Sequence, residues 1–323
     1  MHIPDNYLSP STCLVLAAAT VPVWVTSVKK VKKEITKEKM PLLGVGAAVS
    51  FLLMMFNVPV LGGTTAHAIG GTLLAILLGP YAACISVSVA LAVQALLFGD
   101  GGILAYGANC FNMAFVLPFL GYYVYKFISD RVKSPAGDYV GAAVGSYIGI
   151  NMAALCAAIE FGIQPLLFTN AAGQPLYCPY PLSVSIPMMM ASHLTIAGGV
   201  EVIFTLAIFA FIKKVSPGTF YEGAKKKTKA VYGLLILLIC ATPLGLLATG
   251  TAWGEWGADE ITQQVGYVPG GMDSGIDYHA LLPDYVFGGL PDIVGYILSA
   301  IAGIAILMIV FKIISSVMKN KTV

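Results

Sequence analysis

The chain has 323 residues, of which 58% are hydrophobic and only 11% are charged, with a formal net charge of +2. A soluble domain carries about 25% charged residues, so a soluble enzyme or scaffold is excluded, and the net charge gives no reason to expect nucleic acid as a partner. Runs of about 20 apolar residues recur, which predicts an all-α polytopic membrane protein in contact with lipid. Of the six cysteines, Cys13, Cys84, Cys110, Cys156 and Cys240 lie in apolar runs and Cys178 lies in a loop. No Cys-x-x-Cys occurs, so neither a disulfide framework nor a zinc site is implied.

The chain opens Met1-His2-Ile3-Pro4-Asp5-Asn6. His2 is a bulky second residue, so Met1 is expected to stay and to keep a free α-amine. That amine, the deprotonated His2 amide nitrogen and His2 Nδ1 can close a five- and a six-membered chelate ring on one late divalent metal. Three in-plane nitrogens suit Ni(II), and a further imidazole completes a square. Pro4 stiffens the backbone behind the chelate, and Asp5-Asn6 favours a turn. The alternative is an ordinary frayed terminus.

Nine apolar spans follow, over about 11–28, 41–60, 66–79, 81–98, 103–127, 139–161, 184–212, 231–250 and 292–317. The third is too short to cross upright and is expected to be broken or to begin below the surface. Nothing basic precedes the first, so no signal peptide is expected. All 18 Lys and Arg residues fall in the last turns of spans one, five, seven and nine or after them. With the N-terminus outside and the C-terminus inside, each cluster is cytoplasmic, as the positive-inside rule requires; flipping the chain or dropping a span breaks the agreement.

On this topology the four histidines lie in the outer half: His2, His67 at the start of span three, His193 two turns into span seven, and His279 in an outer loop. His193 is as well explained by structural support as by a substrate role, and His279 by solvation. The outer loop Phe98-Gly-Asp-Gly-Gly102 leads into Tyr106-Gly-Ala-Asn-Cys-Phe-Asn112. Asn109 and Asn112 share a helical face, and interhelical hydrogen bonding is their expected job, with ordering of the terminal segment as the alternative. Gly141, Gly145 and Gly149 form a small-residue stripe for close helix packing. Glu160 and Glu201 are carboxylates within the membrane, and a His193–Glu201 relay is possible at their eight-residue spacing. Residues 216–230 read as a basic connector between a seven-span unit, 1–215, and a two-span unit, 231–323. The loop over about 251–291 of the second unit holds Asp259, Glu260, Asp273, Asp277 and Asp284 and no Lys or Arg. No G-x-x-x-x-G-K-[ST] and no H-E-x-x-H motif occurs, so nothing argues for an enzyme or an internal ATP site.

Met-His-Ile-Pro-Asp, Gly63-Thr-Thr-Ala-His67-Ala-Ile-Gly-Gly71, and Phe98-Gly-Asp-Gly-Gly with Gly107-Ala-Asn-Cys-Phe-Asn112 occur in that order. Together they resemble the CbiM/NikM family, the substrate-capturing membrane components of energy-coupling-factor (ECF) cobalt and nickel transporters. His193-Leu194 fits a fourth motif. Residues 231–317, through Trp253-Gly-Glu-Trp256 and Leu282-Pro-Asp-Tyr285, resemble the CbiN/NikN companion subunit. The resemblance implies a prokaryotic plasma-membrane protein that captures Ni(II) or Co(II) with the Met1 amine, the His2 amide and ring, and the His67 ring. It implies a separate transmembrane coupling subunit and two cytoplasmic ATPase subunits as partners, and no permanent cofactor. Asn6 stands where the family usually has Gly, and Asn tolerates the left-handed conformation. Two other readings stay open: a secondary carrier or channel using Glu160 and Glu201, and an intramembrane metalloenzyme built on His67, His193 and Glu201. Nickel and cobalt are not separated.

Overall fold

The computed structural model describes residues 1–37, 39–60, 64–215 and 228–317. Each expected span holds a helix: α1 Pro10–Glu34, α2 Met40–Met54, α3 Gly71–Leu78, α4 Pro80–Phe98, α5 Tyr106–Arg131, α6 Ala136–Leu167, α7 Leu182–Val215, α8 Lys229–Leu247 and α9 Asp292–Val317. Seven of these are long and apolar enough to cross a membrane; α2 and α3 are the short ones. At about 1.5 Å per residue, α2 covers about 22 Å and α3 about 12 Å.

The departures from the expected spans lie between those two. Span two was expected to run to residue 60, but α2 ends at Met54. Span three was expected from residue 66, and its helix begins only at Gly71. Between them β1, Val58–Val60, pairs antiparallel with β2, Thr64–Ala66. Four of these six residues are β-branched, which favours strand over helix. All three β2 residues are buried, and the pairing satisfies the backbone groups on one edge of the strand. Gly62 and Gly63 lie outside the described residues, as do 216–227 of the expected connector and Lys319 and Lys321.

Helix α2 is apolar all round, and it is buried all round, as such a helix must be. On one side it meets α9, where a Cβ at Gly44 would lie 3.1 Å from Phe311 Cβ and Gly303 leaves room for the Phe51 ring. Tyr296 of α9 donates to the Met55 carbonyl (2.9 Å). The C-terminal helix therefore packs along a central helix of the bundle. The glycine stripe of α6 faces α5: a Cβ at Gly145 would sit 2.5 Å from Gly121 O and one at Gly149 2.7 Å from Leu117 O.

The connecting segments sort to two ends. At one end, Gly102 donates to Ile3 O (2.8 Å), Cys178 to Tyr7 O (2.9 Å), Gly271 to Leu176 O (2.7 Å) and Leu282 to Leu97 O (2.8 Å). Among the described residues, that end gathers the N-terminal segment, three loops and no Lys or Arg. At the other end Ser315 donates to Lys37 O (2.9 Å) and Lys213 pairs with Asp138 (2.5 Å).

Candidate metal centre

The N-terminal segment is not frayed. Asn109 of α5 clamps Ile3 on both sides, accepting from its N–H (2.8 Å) and donating to its carbonyl (3.0 Å). The Asp5 carboxylate accepts from Ile103 N (2.9 Å) and Leu104 N (2.7 Å), so it caps the loop after α4. Asn6 sits in the left-handed region, φ 70, and its side-chain amide pairs in both directions with the Ile276 backbone. Tyr7 donates to Trp256 O (2.7 Å), and Ser9 caps α1 while its own N–H reaches Gln164 Oε1 (3.0 Å). The consequence is that Met1 is 3% and His2 1% exposed. Asn109, expected to bond between helices, instead orders the terminal segment. Asn112 does bond between helices, donating to Glu160 Oε2 (2.8 Å).

Gly102 shows how tight this seat is. A Cβ there would overlap the Asp5 amide nitrogen and lie 2.7 Å from the Pro4 carbonyl carbon. Gly102→Ala is expected to lift the segment and to weaken nickel binding at least about tenfold, the lower bound for disturbing the groups that orient metal ligands. A nickel titration of the variant against the parent checks it.

The His2 and His67 rings stack at 4.9 Å with 27° between planes. His67 Nδ1 donates to Ala68 O (3.2 Å), which leaves its buried Nε2 as a lone pair with no partner. Such an orphan nitrogen, with its tautomer fixed from behind, is what a metal-ligating histidine presents. Burial, with the His2 ring and the terminal amine close by, drives the His67 pKa well below its ordinary value, so the ring is neutral and able to donate its lone pair. Both His2 ring nitrogens are also buried without a hydrogen-bond partner, and Nδ1 lies at ion-pair distance, 2.8 Å, from Asp100 Oδ1. The Met1 amine lies 3.0 Å from Glu255 Oε1. Met1, His2 and His67 are thus brought together, and two of the expected ligand atoms have a carboxylate beside them.

Asp100 is held from behind by Gln94 Nε2 (3.0 Å) and the Tyr285 hydroxyl (2.5 Å), both on Oδ2. Burial acts to raise its pKa, but the positive character of His2 outweighs that and holds the carboxyl below the usual carboxylate range. His2, His67, Asp100 and Glu255 line one cavity of about 580 Å³, whose other walls include residues 245, 246 and 248–252 and Asp284, Tyr285 and Tyr296. Among the described residues no three His, Cys, Asp or Glu side chains converge on a common point. A chelate built partly from an amine and a backbone nitrogen does not need such a cluster.

One alternative read from the sequence does not hold, while the acidic loop and His279 are as expected. The His193–Glu201 relay is absent: His193 Nδ1 donates to Met189 O in its own helix (2.8 Å). The intervening turn is π-helical over His193–Ala197, which shifts the register on which the shared face depended. Glu201 instead accepts from Ile69 N (2.7 Å) and Gly70 N (3.0 Å), capping α3 immediately behind His67. Of the acidic loop, Glu260 bonds Thr251 and Gly257 locally. His279 is exposed and among the described residues pairs with Asp277, at 3.4 Å. Asp100, Glu255 and Tyr285 are the residues that motif reading did not place at the centre. A lone acid between glycines, and one between two tryptophans, were the available signals.

Residues 2–219 match the model of the CbiM family, described as a cobalt uptake substrate-specific transmembrane region, and residues 227–320 match the PDGLE domain. A probable fused nickel transport protein, LarMN, of Lactiplantibacillus plantarum is 50% identical over 321 residues, covering 97% of each chain. The fused nickel transport protein NikMN of Rhodobacter capsulatus is 44% identical over 330 residues, covering 95% of each. A crystal structure of a transition metal transporter aligns with a TM-score of 0.64 at 51% identity, over 73% of this chain and 99% of the other.

Proposed function

The chain belongs to the CbiM family of cobalt-uptake transmembrane proteins, and from that premise we propose that it is the substrate-capturing component of an ECF-type importer for Ni(II) or Co(II). It is a multi-pass membrane protein of the nickel and cobalt transport proteins. The finer reading is that the Met1 amine, the His2 amide and ring, and the His67 ring bind the ion, with residues 231–323 acting as a fused companion unit. A coupling subunit and two ATPase subunits would then move the ion inward. The observation that carries it is a buried Met-His terminus stacked against a histidine whose Nε2 has no partner. The fused relatives whose names specify nickel make nickel the first ion to test.

Orientation follows the charge: the site end carries no Lys or Arg among the described residues, which supports an N-terminus outside and a C-terminus inside. A carrier built on Glu160 and Glu201 finds less support, since each carboxylate is committed to a structural bond. The expected result is that purified protein retains nickel or cobalt, and that cells import it only when the ATPase and coupling subunits are also supplied. Uptake by the chain alone, insensitive to ATP depletion, would favour the carrier.

A further inference from the structure

His67 is aimed from behind by a single peptide group. Its Nδ1 donates to the carbonyl of Ala68 (3.2 Å), and the N–H of that same Ala68–Ile69 peptide donates to Glu201 Oε2 (2.7 Å). The peptide is trans, so its carbonyl and its N–H share one plane and point opposite ways. Tilting one tilts the other. Glu201 arrives from α7, 132 residues along the chain from Ile69. His67, Ala68, Ile69 and Glu201 are all buried, and an unmade hydrogen bond is costly in such a place.

Glu201 also caps α3. Gly70, the residue before that helix, is left-handed (φ 72) and offers no side chain of its own, and a Cβ there would lie 2.6 Å from Leu53 Cδ1. The carboxylate therefore serves the Gly70 N–H from another helix, through Oε2 (3.0 Å) and Oε1 (3.1 Å). Capping alone does not account for the shortest of the three bonds. That one goes to Ile69, a residue ahead of the cap and outside the groups that a helix start leaves open. We infer that Glu201 is a positioning residue for His67: through the Ala68–Ile69 peptide it fixes the direction of the carbonyl, which keeps the proton on Nδ1 and turns Nε2 to the ion. The arrangement is the carboxylate–histidine pair of metal sites with one peptide group set between the partners. A carboxylate on the N–H also polarises the peptide and strengthens its carbonyl as an acceptor. The link uses Nδ1, the ring atom turned away from the metal, so it persists when Nε2 is loaded. The inference rests on the proposed role of His67 as a ligand and lies wholly within residues 1–215. It asks no proton transfer of Glu201, only its hydrogen bonds.

The test is a double-substitution cycle on the full chain, read by nickel titration against a competing chromophoric chelator. Glu201→Gln keeps the size of the side chain but replaces one acceptor oxygen by a donor amide, which cannot serve both N–H groups. It is expected to weaken nickel about tenfold, the low end for losing an outer partner of a ligand. In a His67→Ala background the same change is expected to cost less than about twofold, because the path it acts through is already cut. A general loss of fold stability acts in both backgrounds and cancels in the cycle. The ligand-field absorption of bound nickel should shift in Glu201→Gln, since the ring that binds it is re-aimed; a residue that only starts α3 would leave the band in place. Glu201→Asp, which keeps the charge but draws the carboxylate back by one methylene, is the second variant where glutamine prevents folding. It too should cost more in the parent than in His67→Ala. Equal losses in the two backgrounds, or parent affinity in the folded variant, would overturn the inference. A parent that binds nickel, a weakened His67→Ala and an unaltered Glu201→Gln refute the positioning role only. A His67→Ala protein that binds as the parent does refutes the ligand reading of His67 and this inference together.

Discussion

Blocking the α-amine of Met1, by acetylation or by a single residue placed ahead of it, is expected to remove high-affinity nickel binding. Three effects act in the same direction. The block deletes one nitrogen donor outright. It also opens the five-membered ring, and an amide gives up its proton to a metal only when a neighbouring ligand anchors that metal beside it. Finally, the Met1 amine is paired with Glu255, and the block breaks that ion pair. Loss of an outer partner at a metal site typically costs 10–100-fold in affinity, so loss of a bound donor together with its ring should cost at least about 100-fold, or about 2.7 kcal/mol. A tag after Val323, far along the chain from the site, should leave affinity unchanged. Nickel titration of the two tagged proteins checks it, and equal affinity in both would rule out the terminal chelate.

The membrane class and the nine helical segments were legible in the sequence because each rests on a local signal, whereas bringing His67 to Met1 and His2 was an implication of the motif resemblance. Apolar run length marks a helix, and a Met-His opening sets an amine, an amide nitrogen and a ring nitrogen within reach of one ion. The strand pair between α2 and α3 was not legible, because an apolar run of β-branched residues reads as continuing helix until its pairing partner is known. Glu201 was misread for a related reason. Helical spacing put it on the His193 face, whereas a π-helical turn lies between them and the carboxylate serves the backbone of another segment. Asn109 was assigned to helix–helix bonding because its depth was legible and its partner, the Ile3 backbone, was not. The partners of Glu255 and Tyr285 were beyond reach. Their contacts with Met1 and Asp100 close 254 and 185 residues of chain, and no periodicity carries information over that distance.

Replacing His67 by alanine is the substitution from which the second largest loss is expected. The ring has a single hydrogen bond, from Nδ1 to the carbonyl of the next residue, and that bond commits its other nitrogen to accepting. Because Nε2 is buried and unpartnered, the empty protein bears the cost of a desolvated acceptor, about 1–3 kcal/mol, which a bound cation would relieve. Alanine removes that relief together with the ring that stacks on His2, so the remaining donors lose both a partner and a wall. The backbone around the position should survive, since Glu201 holds Ile69 and Gly70 independently of the side chain. Nickel affinity is therefore expected to fall at least about 100-fold while the melting temperature without metal stays level or rises slightly. His279→Ala is the control. Its side chain is 87% exposed and among the described residues pairs with Asp277, so affinity should not change. If His67→Ala and His279→Ala weaken nickel alike, or if His67→Ala binds as the parent does, the ion sits elsewhere than beside His67.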